Sequence, residues 1–210
     1  FLIDNEDNNA RLRELRKLQR EGVYMEILMK NLKKHLKEEL LGMPRAKYLK
    51  SEVSKPQKGD KHLILCFADW HIGTLVFNEE TGGYDFKKLQ GSVEEVIDFV
   101  IHLIKDLDIK FLYVFQLGDI IEHINMRNVN QAFESEFPAT EQIAKAQRMM
   151  YDVLFKLSKH THVVFGMVGG NHDRFQGDKN DKIYNDNVAY VVLDNLFFIQ
   201  EELGQLPNVT

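Results

Sequence analysis

The sequence predicts an α/β protein in which helices cover a largely parallel sheet, with a helical arm in front. Three apolar runs have the composition of buried strands: HLILCFAD, FLYVFQLGD and HVVFGMVGGNHD. Two segments with helical periodicity separate these runs: VEEVIDFVIHLIKDL and ATEQIAKAQRMMYDVLFKLSKH. This order is a βαβαβ unit, and a chain of 210 residues with 44% hydrophobic content can bury one substantial core.

An amphipathic segment precedes this unit. Between Asn9 and Leu41, apolar residues recur at steps of three and four, which predicts one helix or two helices broken near Gly22. A polar, Lys-rich linker follows it. We therefore divide the chain into an arm with its linker, residues 1–60, and a domain, residues 61–210.

The charges are distributed unevenly between these two parts. Between Arg11 and Lys61, 15 basic residues stand against 7 acidic ones, whereas His62 to Thr210 has 12 against 22. A basic arm can attract a polyanion such as DNA. Alternatively, its apolar stripe can pack on the domain, on a second copy of itself or on another protein. The charge distribution alone therefore leaves a polyanion, self-association and a protein partner open.

The composition also bears on the compartment. The single cysteine, Cys66, cannot form an internal disulfide, which favours a reducing environment. No stretch reaches the roughly 18 consecutive apolar residues of a membrane span, and the first ten residues lack the features of a signal peptide. We therefore expect a cytoplasmic location and no membrane partner.

Each predicted strand ends in residues that can ligate metal. The carboxyl ends of parallel strands meet at one edge of a sheet, so these blocks should converge in space. A mixture of carboxylate, imidazole and amide ligands suits Mn²⁺, Fe²⁺ or Zn²⁺ better than Ca²⁺. The three blocks are Asp69-Trp70-His71, Gly118-Asp119 and Gly170-Asn171-His172-Asp173.

These blocks resemble the D-x-H, G-D and G-N-H-D/E motifs of the calcineurin-like metallophosphoesterase superfamily. The resemblance covers roughly His62 to Arg174, and the form DWHIG is particularly similar to the SbcD-type DNA repair exonucleases. It implies a metallophosphoesterase-type layered sandwich, of which the βαβαβ half is present. It also implies a hydrolase that cleaves phosphodiesters, either a DNA exonuclease or a DNA endonuclease. Such an enzyme would use two divalent ions, for which we expect Mn²⁺ in preference to Fe²⁺ or Zn²⁺.

The resemblance also implies roles for individual residues. Asp69 and His71 would hold the first ion, Asp119 would bridge, and Asn171 would hold the second ion. His172 would act beside the scissile phosphate. Asp173 would orient the ring of His172 or, equally well, cap a turn. Two further residues beyond the predicted metal ligands are candidates for substrate binding: Arg127 and Arg174.

One departure from the family pattern is serious. The family completes its site with histidines further along the chain, but no histidine follows His172 here, and His123 is the only nearby spare. We therefore expect the domain to be incomplete at its C-terminal end and the 210-residue form to be inactive. Two alternatives stay open: a phosphatase or phosphodiesterase for a small phosphorylated molecule, and a non-catalytic binding or assembly module with a vestigial metal site.

Overall fold

The computed structural model describes residues 57–80, 82–123, 135–175 and 186–210, together with eight separate positions between 17 and 34. These eight positions are all helical, and the rest of the predicted arm helix lies outside the described residues. The chain divides into two units, Phe1–Pro44 and Arg45–Thr210. Among the described residues, none of the helices has both the length and the apolar character that crossing a membrane requires.

A three-stranded parallel sheet forms the centre of the second unit. Its strands are β1 (Lys61–Phe67), β2 (Ile109–Gln116) and β3 (His162–Met167), in the order β1-β2-β3. The last residues of the chain continue the sheet beyond β3, where Val209 pairs in parallel with Val163. The sequence prediction of an α/β fold with parallel strands is confirmed.

Three helices connect and follow the strands. They are α1 (Phe86–Leu107), α2 (Ala139–Ser158) and α3 (Val188–Leu203). Because α1 contacts α2 and α2 contacts α3, the helices form one layer, and each also contacts the sheet. The resulting α/β arrangement is compatible with part of a layered sandwich.

Two helices differ from the sequence prediction. Helix α1 begins at Phe86, before the predicted Val93, because the Asp85 side chain accepts a hydrogen bond from the Lys88 backbone N–H and caps the first turn. Gly91 obscured this start, since glycine weakens a helical pattern. Helix α3 was not predicted. Its sequence, VAYVVLDNLFFIQEEL, is largely an apolar run, which periodicity alone does not assign to helix or strand.

The two faces of the sheet have different surroundings. Leu112 and Val114 in β2 are fully buried on the face that the helices cover. Side chains alternate along a strand, and on the opposite face Ile64 is 64% exposed and Cys66 is also exposed. The predicted covering of the sheet by helices is therefore found on one face.

We predict that packing between the helix layer and the sheet dominates the stability of this unit. Replacing the fully buried Leu154 of α2 by Ala should lower the free energy of unfolding by about 2–5 kcal/mol, because a cavity forms in addition to the loss of apolar burial. Phe99→Ala in α1, where the side chain is 63% exposed, should change it by less than about 0.5 kcal/mol. Urea denaturation of both variants tests this, and equal losses would contradict it.

Candidate metal centre

The segments after β1 and β2 stay paired beyond the ends of the strands. The backbone N–H of Asp69 donates to the carbonyl of Gly118 at 3.1 Å, and that of His71 donates to the carbonyl of Asp119 at 2.9 Å. In the next pair, Ile72 and Ile121 form a bridge and are both fully buried. These backbone hydrogen bonds therefore hold the first two predicted motifs side by side.

The third segment joins them through the side chain of Asp119. The backbone N–H of His172 donates to Asp119 Oδ1 at 2.8 Å, although the two residues follow different strands. The ring of His172 also lies edge-on to that of His71, with 4.5 Å between the ring centres. The convergence predicted from the sheet topology is thus present in the structure.

A group of three side chains at this place could hold a metal ion. Ligand atoms of His71, Asp119 and His172 all lie within 4.8 Å of one another. Two imidazoles and a carboxylate are ligands that first-row divalent metals accept. His172, predicted to act on the phosphate, therefore lies among the potential ligands.

The other two predicted ligands, Asp69 and Asn171, are more exposed. Asp69 Oδ1 is 3.6 Å from His71 Nε2, and the Asp69 side chain is 69% exposed. Asn171 is exposed in the turn between Gly170 and His172. Asp69 is thus placed beside His71.

The backbone at three of these positions adopts a conformation that ordinary residues avoid. Asp69, His71 and Asp119 have φ angles of 54°, 42° and 53°, in the left-handed region. Among the residues that the structure describes, only Asp108 and Leu206 are further non-glycine residues with positive φ. Because such strain tends to cluster at functional sites, its coincidence with predicted ligands supports the assignment of this site.

Two glycines allow the segments to approach this closely. Gly118 has a φ of 106°, and a Cβ atom there would come within 2.7 Å of the backbone nitrogen of Gly170. A Cβ atom on Gly170 would collide with the side chain of Asp119. The geometry therefore accounts for both glycines by close backbone approach.

Asp173 lies in surroundings that suit one of its two proposed roles. It is fully buried, and its carboxylate accepts hydrogen bonds from the backbone N–H groups of Asp119, Ile120, Ile121 and Gly170, at 2.7 to 3.3 Å. Burial raises the pKa of Asp173, while the hydrogen bonds from the amides of Gly170, Ile121 and Asp119 act in the opposite direction. This geometry favours the stabilisation of turns over the orientation of the His172 ring.

A residue that the sequence analysis did not select contacts both histidines. Glu122 Oε2 lies 3.1 Å from Nδ1 of His71 and also accepts a hydrogen bond from the Thr74 hydroxyl. The main-chain carbonyl of Glu122 lies 2.5 Å from Nδ1 of His172. A carboxylate three positions after a predicted ligand was the only signal in the sequence.

The hydrogen bond between His71 and Glu122 changes the pKa values of both groups. It is the largest cause of the raised pKa of His71, which burial opposes and the charges of Glu122, Asp119 and Asp69 reinforce. For Glu122, burial favours a higher pKa, but the hydrogen bonds from His71 and Thr74 and the charges of His71 and His172 together outweigh it, and the pKa is lowered. The Glu122 carboxylate is therefore ionised at neutral pH.

The remaining candidates that the structure describes lie outside the group of three. His123 is buried, with Nε2 3.2 Å from the hydroxyl of Ser135. Arg174 is exposed and its backbone bridges to Asn187. Arg127 lies outside the described residues.

No protein-family model matches this chain, and no curated protein or solved structure matches it either. The resemblance to metallophosphoesterases therefore rests on the three short motifs and on no wider similarity.

We predict that Gly170 is required for the position of Asp119. Gly170→Ala should lower the free energy of unfolding by about 1–3 kcal/mol, because the added methyl group overlaps the Asp119 side chain. Gly91→Ala is the matched control, since a Cβ atom there meets nothing within 4 Å and alanine favours the interior of α1 by about 0.5–1 kcal/mol. Urea denaturation measures both, and an unchanged Gly170→Ala protein would show that the loops can separate without cost.

We also predict opposite shifts for two histidines in the metal-free protein. The pKa of His71 should lie above 6.5, whereas burial and the nearby Lys105 and Lys159 should hold the pKa of His160 below it. The His71 interaction therefore stabilises the fold fully below pH 6.5, and this contribution is lost as the pH rises through its folded-state pKa. For His160, protonation costs stability as the pH falls below 6.5. An NMR titration of the ring protons tests both signs, and titration of the two rings in the reverse order would contradict them.

Proposed function

We propose that this chain is a metal-dependent phosphodiester hydrolase of the metallophosphoesterase type, and that its substrate is DNA. The observation that carries the proposal is the convergence of His71, Asp119 and His172 after three parallel strands. These residues belong to the three motifs on which the family resemblance rests. A structural zinc site of thiolates does not suit this donor set, because the only cysteine, Cys66, lies within β1.

The ring nitrogens support a metal-binding role. A carbonyl oxygen only accepts hydrogen bonds, so Nδ1 of His172 must donate its proton to Glu122, and Nε2 carries the lone pair of the neutral ring. The ionised carboxylate of Glu122 has the same effect on His71. Both histidines therefore present Nε2 as the ligand atom, which is the arrangement expected at a metal site.

In the proposed reaction, Asp69, His71, Asp119 and Asn171 would hold two divalent ions, with Mn²⁺ preferred over Fe²⁺ or Zn²⁺. When bound, such ions activate water and stabilise charge on the attacking and leaving oxygens of an in-line displacement. Backbone hydrogen bonds between the segments after β1 and β2 hold the backbones of Asp69, His71 and Asp119 next to each other.

His172 has two possible roles that exclude each other at any one moment. Its Nδ1 atom is engaged with the Glu122 carbonyl, so Nε2 must serve either as a ligand or as the donor of a proton to the leaving oxygen. Its membership of the three-residue group supports the first role, and the family resemblance implies the second.

The proposal of DNA as the substrate is supported by the charge of the arm. The excess of basic residues between Arg11 and Lys61 can bind phosphates, whereas the acidic remainder of the chain repels them. An extended polyanion offers a basic segment further phosphates besides the one that is hydrolysed. A small phosphorylated molecule has too few phosphates to bind both the metal ions and a separate basic segment.

The test compares hydrolysis of linear duplex DNA and of a chromogenic phosphodiester by the natural protein, each with Mn²⁺ and with a chelator. Chelation or Asp119→Asn should reduce DNA hydrolysis by more than about 100-fold, since the metal supplies several kcal/mol of transition-state stabilisation. Asp106→Asn, at an exposed position of α1, is the charge control. His172→Ala with normal metal content and low turnover would identify a proton donor, and loss of metal would identify a ligand.

Other outcomes select other functions. Mn²⁺-dependent hydrolysis of the chromogenic diester without cleavage of DNA would indicate an enzyme for a small phosphorylated substrate. Metal binding without hydrolysis of either substrate would contradict the enzymatic proposal and favour a binding or assembly module.

A further inference from the structure

Glu122 contacts the two histidines through two different parts of its structure. Its carboxylate lies 3.1 Å from Nδ1 of His71, and its main-chain carbonyl lies 2.5 Å from Nδ1 of His172. The two histidines follow β1 and β3, and Glu122 follows β2. One residue on the central segment thus contacts a potential ligand on each side.

The backbone of Glu122 is itself held on two sides. Its N–H donates to the carbonyl of Ile72 at 2.9 Å and to Oε1 of Gln142 at 3.1 Å. Gln142 is fully buried in α2, and its Nε2 donates to the carbonyl of Phe137. Because Gln142 is anchored in this way, the position of the Glu122 backbone depends on the helix layer as well as on the loop.

Another glycine makes room for this contact. Gly73 has a φ of 109°, and a Cβ atom there would come within 2.5 Å of the Gln142 side chain. The side chain of Glu122 is 16% exposed, and its carboxylate is further held by the Thr74 hydroxyl. Glu122 is therefore a fixed acceptor, because both its backbone and its side chain have defined partners.

We propose that Glu122 is the positioning residue of the metal centre, setting the tautomer of His71 through its carboxylate and that of His172 through its carbonyl. The inference rests on the proposed function only in taking this group as a metal site. With both Nδ1 protons engaged, both Nε2 lone pairs are available to one ion. Groups that orient metal-bound histidines in this way typically change metal affinity by about 10–100-fold when removed.

The two contacts predict different responses to mutation. Glu122→Ala removes the acceptor of His71 but leaves a main-chain carbonyl for His172. Glu122→Gln keeps a side-chain oxygen that can still accept from His71. Glu201→Ala removes a carboxylate from an exposed position in the last turn of α3 and serves as the control.

The experiment records the tautomers by ¹⁵N NMR of the histidine rings in the metal-free 210-residue chain, at a pH where both rings are neutral. The unaltered protein should show the Nδ1–H form at His71 and His172. Glu122→Ala should convert His71 to a mixture with the Nε2–H form, leave His172 unchanged and weaken Mn²⁺ binding, measured by calorimetry, by about 10–100-fold. Glu122→Gln should restore the His71 tautomer and part of the Mn²⁺ affinity, and Glu201→Ala should match the unaltered protein.

Three results would overturn the inference. The first is an Nε2–H form of His71 in the unaltered protein. The second is an unchanged His71 tautomer and Mn²⁺ affinity in Glu122→Ala. The third is an equal tautomer change at both histidines in Glu122→Ala, which would show that Glu122 stabilises the loop as a whole and does not set one tautomer. The first result decides the matter even if Glu122→Ala does not fold. None of these measurements uses hydrolysis, so a chain that binds Mn²⁺ without cleaving DNA would refute the proposed function and leave this inference standing.

Discussion

The hydrogen bonds from four backbone N–H groups to the carboxylate of Asp173 are the interaction on which the candidate centre depends. An ionised carboxylate that is buried without partners costs several kcal/mol, and these four donors offset part of that cost. Three of the donors follow β2 and the fourth, Gly170, follows β3. A single side chain therefore joins the two segments that carry Asp119 and His172.

Three carboxylates concentrate negative charge around His71. Asp69, Asp119 and Glu122 all act to raise its pKa, which means that the local potential favours a positive charge. In the metal-free protein a proton on His71 can supply that charge. A divalent cation would satisfy the same carboxylates, and binding it would require the proton to leave. A proton and a metal ion would thus compete for Nε2 of His71, which is typical of histidine ligands surrounded by carboxylates.

Backbone geometry restricts how this site could change. The predicted ligands with positive φ are held by hydrogen bonds between neighbouring segments, and Gly118 and Gly170 allow those segments to touch. The buried residues Ile72, Ile120 and Ile121 lie in the same segments as the ligands. The burial of these three isoleucines keeps the strained backbone in place, because unfolding this backbone would expose their side chains to water.

Much of the fold and the site could be predicted from local patterns. The three strands and the first two helices were recognised because apolar runs and helical periodicity are properties of neighbouring residues. The convergence of Asp69, His71, Asp119 and His172 followed from a topological rule for parallel strands. Helix α3 was missed because its apolar run is compatible with both a helix and a strand. The start of α1 was misplaced because Gly91 interrupts the helical pattern between the N-cap residue, Asp85, and the predicted start at Val93.

The sequence by itself determined the order of strands and helices and the residue types at each strand end. Only the tertiary structure decided what those residues do to one another. His71 and Glu122 are 51 positions apart, and His172 and Glu122 are 50 apart, so neither contact leaves a periodic signal in the chain. The burial of Asp173 and the position of the proton on Nδ1 of each histidine depend on the directions of hydrogen bonds across separate segments. Those directions are set when the helix layer and the sheet pack together, because packing fixes the distances between segments that the chain itself leaves free.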